Sequence, residues 1–143
     1  MLGMSLYLVV KMISYKFELN YKENGGILVP LEEKFNIPFD IKRIFYTYNV
    51  SMDEGRGNHA YKETKQVLIC TSGSVNIKCF DGRSEKVYDL NNPLEALYIE
   101  PIVWRTTFNH SSDCVLLILS SREYDEDDYI RDYDEFVEVT KCI

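Results

Sequence analysis

The chain has 143 residues, of which 45% are hydrophobic, and its sixteen basic and twenty-three acidic side chains give a net charge of −7. This length and apolar content predict one packed domain and exclude a disordered protein. The acidic balance argues against general nucleic-acid binding, which needs a basic face to displace the counterions of phosphates. A local basic pocket stays compatible with that balance, because eight acidic residues are concentrated between Arg122 and Glu135.

The chain begins with a short apolar run within residues 1–17 that has neither the basic region nor the small-residue cleavage site of a signal peptide. No apolar stretch approaches the roughly 18 residues of a membrane helix. The cysteines are scattered, without a C-x-x-C pair, at Cys70, Cys79, Cys114 and Cys142. We therefore expect a cytoplasmic protein with reduced thiols and no membrane partner.

Short extended segments separated by turn residues fill most of the remaining chain. Strands are predicted at residues 41–50, 66–70, 75–80, 85–90, 96–100, 103–110 and 114–121. Their spacing of roughly ten residues indicates a β-sandwich or small barrel. We predict one all-β domain over residues 1–143.

The tail at residues 122–143 is acidic and aromatic. It is predicted to form a short helix or an ordered arm. Its apolar side chains would pack against the domain through Tyr129, Ile130, Tyr133 and Phe136.

Residues 56–62, with the sequence RGNHAYK, resemble the first metal-binding motif of cupins, which are jelly-roll β-sandwiches. The positions of the motif's ligands are occupied here by His59, Tyr61 and Gln66, and the corresponding position of the second cupin motif by Arg105. A divalent metal needs convergent imidazole, carboxylate or thiolate ligands, and Arg has no lone pair to offer. The residues therefore predict a cupin jelly roll without a metal or other cofactor.

Five segments resemble the dTDP-sugar 3,4-ketoisomerase family: residues 36–46, 56–62, 66–75, 97–104 and 128–136, the last with the sequence DYIRDYDEF. The resemblance implies conversion of dTDP-4-keto-6-deoxy-D-glucose to a 3-keto isomer, ahead of an aminotransferase that makes a 3-amino-3,6-dideoxy sugar for surface polysaccharide. It also implies a metal-free cupin homodimer that exchanges amino-terminal strands, here the region 1–26.

Two positions bear on how this chain relates to the family. Where members usually carry two His in H-x-H, this chain has His59 and Tyr61. The position after Trp104 varies in the family between His and Arg, and the resemblance implies that Arg105 goes with the gluco product rather than the galacto product. The chemistry of reprotonation by itself leaves both products open.

Moving a ketone from C4 to C3 requires a base near neutrality, which favours His. We predict His59 as that base, since His110 lies in a turn-like cluster, Asn-His-Ser-Ser, and is expected to be solvated. Alternation along a strand places Tyr61 on the same face as His59. Its phenol could relay a proton or simply form an aromatic wall.

The substrate's diphosphate and the enediolate intermediate call for cations. The candidates are Arg43, Arg56, Lys62 and Arg105. Each could instead be an exposed side chain in a salt bridge. Trp104 could stack on the substrate or fill the core, and Gln66 could hydrogen-bond a sugar hydroxyl or be a neutral remnant of a ligand position.

Two other functions fit the same residues. An epimerase acting on the same kind of substrate would need a second acid on the opposite face of the sugar. A non-catalytic cupin could bind a sugar nucleotide without turnover, which the missing second His makes plausible.

Overall fold

A computed structural model describes residues 11–143, which form twelve strands and one α-helix. The strands are β1 (Met12–Lys16), β2 (Tyr21–Glu23), β3 (Gly26–Leu28), β4 (Arg43–Tyr48), β5 (Arg56–Tyr61), β6 (Gln66–Ser72), β7 (Val75–Phe80), β8 (Glu85–Leu90), β9 (Glu95–Ile99), β10 (Trp104–Phe108), β11 (Val115–Ser120) and β12 (Tyr129–Ile130). A 3₁₀ turn, Glu126–Asp128, precedes β12, and the helix α1 (Tyr133–Lys141) follows it.

Two antiparallel five-stranded sheets form a β-sandwich. The strand order is β1-β9-β6-β11-β4 in the first sheet and β12-β5-β10-β7-β8 in the second. Seven strands coincide with segments predicted from the sequence, so the all-β sandwich is confirmed. Strand β1 pairs with β9 of its own chain. Of the predicted amino-terminal strand region, residues 1–10 lie outside the described residues, and its exchange between subunits stays a prediction.

The two faces of each central strand pack into different apolar layers. In β6, Leu68 and Cys70 point into the core between the sheets, whereas Val67 and Ile69 point outward. Residues 66–70 are all buried, because the outer face of the first sheet is itself covered by the segment 29–41. This explains why β6 has a continuous apolar sequence instead of an alternating one.

The acidic tail covers the outer face of the second sheet and is both an arm and a helix. Phe136 of α1 packs against Ala60 and Ile130. The helix begins where the Asp132 carboxylate accepts hydrogen bonds from the backbone N–H groups of Asp134 and Glu135, at 2.8 and 3.3 Å. A carboxylate at this end also complements the positive end of the helix dipole.

The prediction of a solvated His110 is wrong. This side chain is 1% exposed, and neither ring nitrogen has a hydrogen-bond partner among residues 11–143. Its loop does turn, but the loop folds onto the hairpin turn between β6 and β7. There the Ser111 N–H donates to the Ser74 carbonyl at 2.9 Å, and the Ser74 N–H donates to the Ser111 hydroxyl at 2.8 Å. Turn composition identified the turn, but the tertiary contact that covers His110 leaves no local signal in the sequence.

Within residues 11–143 no helix is long and apolar enough to cross a membrane. All four cysteines are free thiols, and Cys70, Cys79 and Cys114 are buried. The Sγ atoms of Cys70 and Cys114 lie 3.8 Å apart in a thiol–thiol hydrogen bond, and no disulfide joins them. The predicted strands that contain Cys70 and Cys79 are confirmed, whereas Cys114 lies just before β11 instead of inside it.

Candidate active site

A cavity of about 350 Å³ opens between the two sheets. Its polar lining includes Arg43, Arg56, His59, Tyr61, Gln66, Arg105, Thr107, Tyr129 and Arg131. Its apolar lining includes Phe45, Leu68, Leu116 and Ile118. Four guanidinium groups and no carboxylate of the described residues line this cavity. The pocket is therefore basic, although the protein has a net charge of −7.

A bulge in β5 aims His59 into this cavity. The pairing of β5 with β10 shifts register between Arg105, which faces His59, and Thr106, which faces Gly57. Gly57 and Asn58 both have positive φ, at 92° and 58°. A Cβ on Gly57 would lie 2.9 Å from the Arg105 carbonyl oxygen, so this position requires glycine. Bulges of this kind redirect side chains next to functional sites.

The four positions that hold metal ligands in cupins converge here, and three of them form a hydrogen-bonded group. The Gln66 side chain donates from Nε2 to the Tyr61 hydroxyl at 3.2 Å, and its Oε1 accepts from Arg105 Nη1 at 2.7 Å. The rings of His59 and Tyr61 meet edge to face, with their centroids 4.9 Å apart. The structure thus brings together the four side chains that the sequence pattern singled out. They present one imidazole, and the Arg105 guanidinium takes the place of a ligand.

Arg105 is a buried cation without a carboxylate partner among the described residues. It is 3% exposed, and its acceptors are neutral: Gln66 Oε1 and the Val103 carbonyl oxygen, which accepts from Nε at 3.3 Å and Nη2 at 2.9 Å. Burial lowers the pKa of Arg105 from its usual value. A guanidinium has five N–H groups, and three are used in these bonds. The remaining two, with the uncompensated charge, suit an anionic ligand or intermediate.

His59 is neutral at physiological pH and has a free ring nitrogen. Burial, followed by the positive charge of Arg105, lowers the pKa of His59 to about 4, while a backbone hydrogen bond with Gly57 acts in the opposite direction. Nε2 is buried and has no hydrogen-bond partner in the described part of the chain, so Nδ1 is the ring nitrogen that bonds to the Gly57 backbone. Nε2 then carries the lone pair and is available to accept a proton.

Tyr129 belongs to the site, although the sequence placed it only in the packing of the tail. Its hydroxyl accepts a hydrogen bond from the Tyr61 hydroxyl at 3.2 Å, and the Arg43 Nη1 group lies 3.5 Å away as a second donor. Its ring centroid lies 5.0 Å from that of His59 and 4.7 Å from that of Tyr61. A continuous polar chain therefore runs along the cavity, from Arg105 through Gln66, Tyr61 and Tyr129 to Arg43.

The buried Asp128 carboxylate fixes the segment that carries Tyr129. It accepts from the Glu63 backbone N–H at 2.8 Å and from the Thr64 hydroxyl, and it forms an ion pair with Arg122 at 3.3 Å. Strand β12 then pairs with the end of β5, placing Tyr129 opposite Tyr61. Asp128 and Glu63 are far apart along the chain, so no local pattern predicts their contact. The only hint in the sequence was that the segment DYIRDYDEF resembles the family.

The structure places the other predicted binding residues in two groups. Arg43 and Arg56 line the cavity as expected, and Arg131, which was not predicted, joins them. Lys62 and Trp104 lie outside the cavity lining, because alternation turns each away from its inward-facing neighbour. Lys62 is exposed to solvent. Trp104 packs against α1 on the outer face of the second sheet, and its ring centroid lies 5.2 Å from that of Tyr133.

Comparisons with known proteins identify relatives over nearly the whole chain. The model of the family FdtA, described as "WxcM-like, C-terminal", matches residues 10–141. A TDP-4-oxo-6-deoxy-alpha-D-glucose-3,4-oxoisomerase from Aneurinibacillus thermoaerophilus is 44% identical over 121 residues, which is 82% of this chain and 87% of that protein.

Solved structures agree with this match. The sugar 3,4-ketoisomerase QdtA from Thermoanaerobacterium thermosaccharolyticum, in complex with TDP, superposes with a TM-score of 0.89 at 44% identity, covering 94% of this chain and 97% of that one. A His-to-Asn mutant of QdtA in complex with TDP-4-keto-6-deoxyglucose gives the same TM-score at 43% identity, covering 94% and 96%. Both structures are similar to this chain along almost all of its length.

Proposed function

Because the chain belongs to the FdtA family of sugar 3,4-ketoisomerases, we propose that it converts dTDP-4-keto-6-deoxyglucose to its 3-keto isomer by way of an enediolate. The observation that carries the assignment of the site is the cavity that joins a neutral imidazole, His59, to a buried cation, Arg105, without any carboxylate in its lining. A neutral base can remove the C3 proton, and the cation can stabilise the negative charge that develops on oxygen.

The guanidinium groups at the cavity mouth support binding of the substrate's diphosphate. Arg56 lines the cavity and is exposed, and no ion pair holds it among residues 11–143. Arg43 is partly buried, with its guanidinium carbon 4.3 Å from the Phe45 ring centroid. Arg131 is already paired with Glu126, at 2.6 and 3.0 Å. Arg56 and Arg43 are therefore the cations best placed to receive phosphate oxygens.

Within the cavity we assign the chemistry to three groups. His59 Nε2 takes the C3 proton, and Arg105 holds the enediolate with its two unused N–H groups. Tyr61 lies beside both. Its ring centroid is 4.9 Å from the ring centroid of His59 and 5.0 Å from the guanidinium carbon of Arg105. Its hydroxyl is then positioned to act on the proton that moves between the two sugar oxygens. Reprotonation at C4 completes the isomerisation.

Proton NMR of the reaction in deuterated buffer tests this function. We expect the carbonyl to move from C4 to C3, with deuterium at the new C4 centre. An epimerase would invert a centre and leave the ketone at C4, and a protein that only binds the sugar nucleotide would leave the spectrum unchanged. Either of those two results would overturn the proposed function.

We further propose the gluco product, dTDP-3-keto-6-deoxy-D-glucose, and its support is the family resemblance, in which Arg at the position of Arg105 goes with the gluco product. A permanently protonated guanidinium can orient and stabilise the enediolate but cannot deliver a proton to C4 as a His could. The product is trapped with a 3-aminotransferase, and the H3–H4 and H4–H5 couplings are then measured. Large couplings fit the gluco isomer, whereas small ones, from an axial C4 hydroxyl, would identify the galacto isomer.

Activity is expected to be independent of metal ions. The four converged positions offer one imidazole, a phenol, an amide and a guanidinium, which is a poor set for a divalent cation. Among residues 11–143, no three His, Cys, Asp or Glu side chains cluster as a metal site would require. Dialysis against a chelator should leave kcat and KM unchanged. Loss of turnover that one particular divalent metal restores would contradict this prediction.

The pH dependence of kcat/KM should reflect the low pKa of His59. A base must be deprotonated, and in the free enzyme the pKa of His59 is lowered to about 4 by burial and by Arg105. We therefore expect kcat/KM to stay level as the pH falls through about 6.5, the usual pKa of His, and to drop only nearer to pH 4. Bound diphosphate favours the imidazolium, so kcat should begin to fall at a higher pH than kcat/KM does.

Initial rates between pH 4 and 8 measure this. Stability and activity should both fall at acid pH. The lowered pKa of His59 contributes to the free energy of unfolding above about pH 6.5, and this contribution is lost as the pH falls toward 4. Circular dichroism over the same range therefore serves as the control for unfolding. An acid limb of kcat/KM at the usual pKa of His would mean that a solvated group, and not His59, acts as the base.

We also propose a homodimer in a reducing compartment such as the cytoplasm. Its support is the apolar surface of two parts of the chain, the β2–β3 hairpin and the edge strand β4. Their exposed side chains are Tyr21, Ile27, Leu28, Ile44, Tyr46 and Tyr48. Exposed apolar side chains along an edge strand favour a contact with another chain. The four free thiols are compatible with a reducing compartment. Light scattering measures the oligomeric state.

A further inference from the structure

We propose that Tyr129 is the catalytic acid for the C4 oxygen, and that its hydroxyl and that of Tyr61 together carry the proton from the C3 oxygen to the C4 oxygen. This inference rests on the proposed ketoisomerisation and adds a residue and a step to it. Moving the ketone transfers two protons, one between carbons and one between oxygens. His59 can serve the carbon-bound proton, which leaves the oxygen-bound proton to a second device.

The hydrogen bonds of the two tyrosines have the polarity that such a relay needs. Gln66 Nε2 donates to the Tyr61 oxygen at 3.2 Å, and the Tyr61 hydroxyl donates to the Tyr129 oxygen, also at 3.2 Å. Arg43 is the further donor near the Tyr129 oxygen, at 3.5 Å. The Tyr129 proton has no acceptor among the described residues, so it is free to point into the cavity. The Tyr61 oxygen keeps one lone pair for an incoming donor.

The relay between the oxygens balances without a charge on either tyrosine. The C3 hydroxyl gives its proton to the Tyr61 oxygen, the Tyr61 proton passes to the Tyr129 oxygen, and the Tyr129 proton passes to the C4 oxygen as the enediolate forms. Both tyrosines begin and end as neutral phenols. The C3 hydrogen leaves to His59 Nε2. On the way to the gluco product, C4 receives a proton from solvent on the opposite face of the sugar ring, and the His59 imidazolium then releases its own proton to solvent. The net change is the exchange of a ketone and an alcohol between adjacent carbons.

The relay and the base lie close enough to act on two adjacent carbon atoms of one sugar. The ring centroids of Tyr61 and Tyr129 lie 4.9 and 5.0 Å from that of His59. Vicinal sugar oxygens lie within hydrogen-bonding distance of each other, as the two phenol oxygens do. Burial raises the pKa of Tyr61, which disfavours a phenolate and supports a transfer between neutral hydroxyls. The Asp128 carboxylate holds β12 in place, so Tyr129 is prepared for this role before the substrate binds.

The first test compares two tyrosines that pack on each other. Tyr129→Phe should lower kcat by about 10²–10³-fold, because it removes the acid while keeping the ring. Its binding of dTDP, measured by calorimetry, should match that of the unmodified enzyme. The control is Tyr124→Phe. Tyr124 lies 5.7 Å from Tyr129 between ring centroids, but its hydroxyl binds Glu126 and it is not among the residues that line the cavity. Its turnover should stay close to that of the unmodified enzyme.

The second test measures the coupling between Tyr61 and Tyr129. Two members of one relay are not additive, since losing either one breaks the same path. Tyr61→Phe, Tyr129→Phe and the double variant should therefore have nearly the same kcat. If the two rings only pack the wall, the fold losses of the single variants should multiply in the double variant. Thermal unfolding of all three variants checks that the fold is kept.

The outcomes separate this inference from the proposed function. If Tyr129→Phe keeps near-normal turnover, or if the losses multiply, the relay is overturned while the ketoisomerase assignment stands. If the unmodified enzyme does not move the carbonyl at all, the proposed function fails first. Equal, large and non-additive losses with unchanged dTDP binding would support the relay.

Discussion

Replacing His59 with Asn is expected to lower kcat by about 10²–10⁴-fold, the usual contribution of a positioned base. Asn has a similar size and can still accept a hydrogen bond, but its amide cannot take up a proton from C3. Because His59 is partly buried and its Nε2 has no partner to lose, the fold and the affinity for dTDP should be retained. Turnover and exchange of the C3 proton with deuterium, both followed by NMR, should fall together.

The other histidine of the chain provides the matched control. His110 is buried in the loop between β10 and β11 and is not among the residues that line the cavity. Turnover of His110→Asn, per folded molecule, should therefore stay close to that of the unmodified enzyme. Near-normal exchange at C3 in His59→Asn would show that another group is the base, and an equal loss in both variants would indicate damage to the fold.

The elements that the sequence predicted well are those with strong local patterns. Alternating apolar residues and turn residues predicted seven strands, and the same alternation placed His59 and Tyr61 on one face of β5. Applied consistently, this rule would also have turned Lys62 away from the cavity, since Lys62 follows Tyr61 directly. Trp104 was likewise grouped with Arg105 by motif, although neighbours in β10 face opposite sides.

The parts that the sequence did not predict depend on contacts between distant segments. Tyr129 enters the site only because Asp128 binds the backbone and side chain of residues 63–64. An acidic stretch in the sequence gives no sign of which carboxylate will be buried. The absence of a partner for the Arg105 charge is equally invisible, since it follows from which side chains surround the cavity. The buried Asp128 and the unpaired charge of Arg105 are features that a site serving only the fold would not need, and such features are the ones that local sequence rules fail to predict.

Arg105→Met is expected to lower kcat/KM by about 10²–10³-fold, which is the usual cost of removing one preorganised donor for a developing oxyanion. Methionine fills a similar volume without charge, so the change removes the cation that faces the enediolate. Arg105→Lys keeps the charge but not the planar fork, and should recover only part of the activity. Rates for the two variants, with dTDP binding as the check on the fold, measure this effect.

The effect on stability makes the test sharper, because Arg105 has no carboxylate partner in the described chain. Burying an ion costs several kcal/mol, and apolar replacements of buried ionic groups are often neutral or stabilising. Against this gain, Gln66 Oε1 and the Val103 carbonyl each lose a donor, at a cost of about 1–3 kcal/mol apiece unless water from the cavity replaces it. The free energy of unfolding of Arg105→Met should therefore be unchanged or higher while turnover falls. If Arg105 served only the fold, its replacement would lower stability and leave turnover per folded molecule unchanged. A lower unfolding midpoint of Arg105→Met with normal turnover per folded molecule would therefore contradict the catalytic role of Arg105.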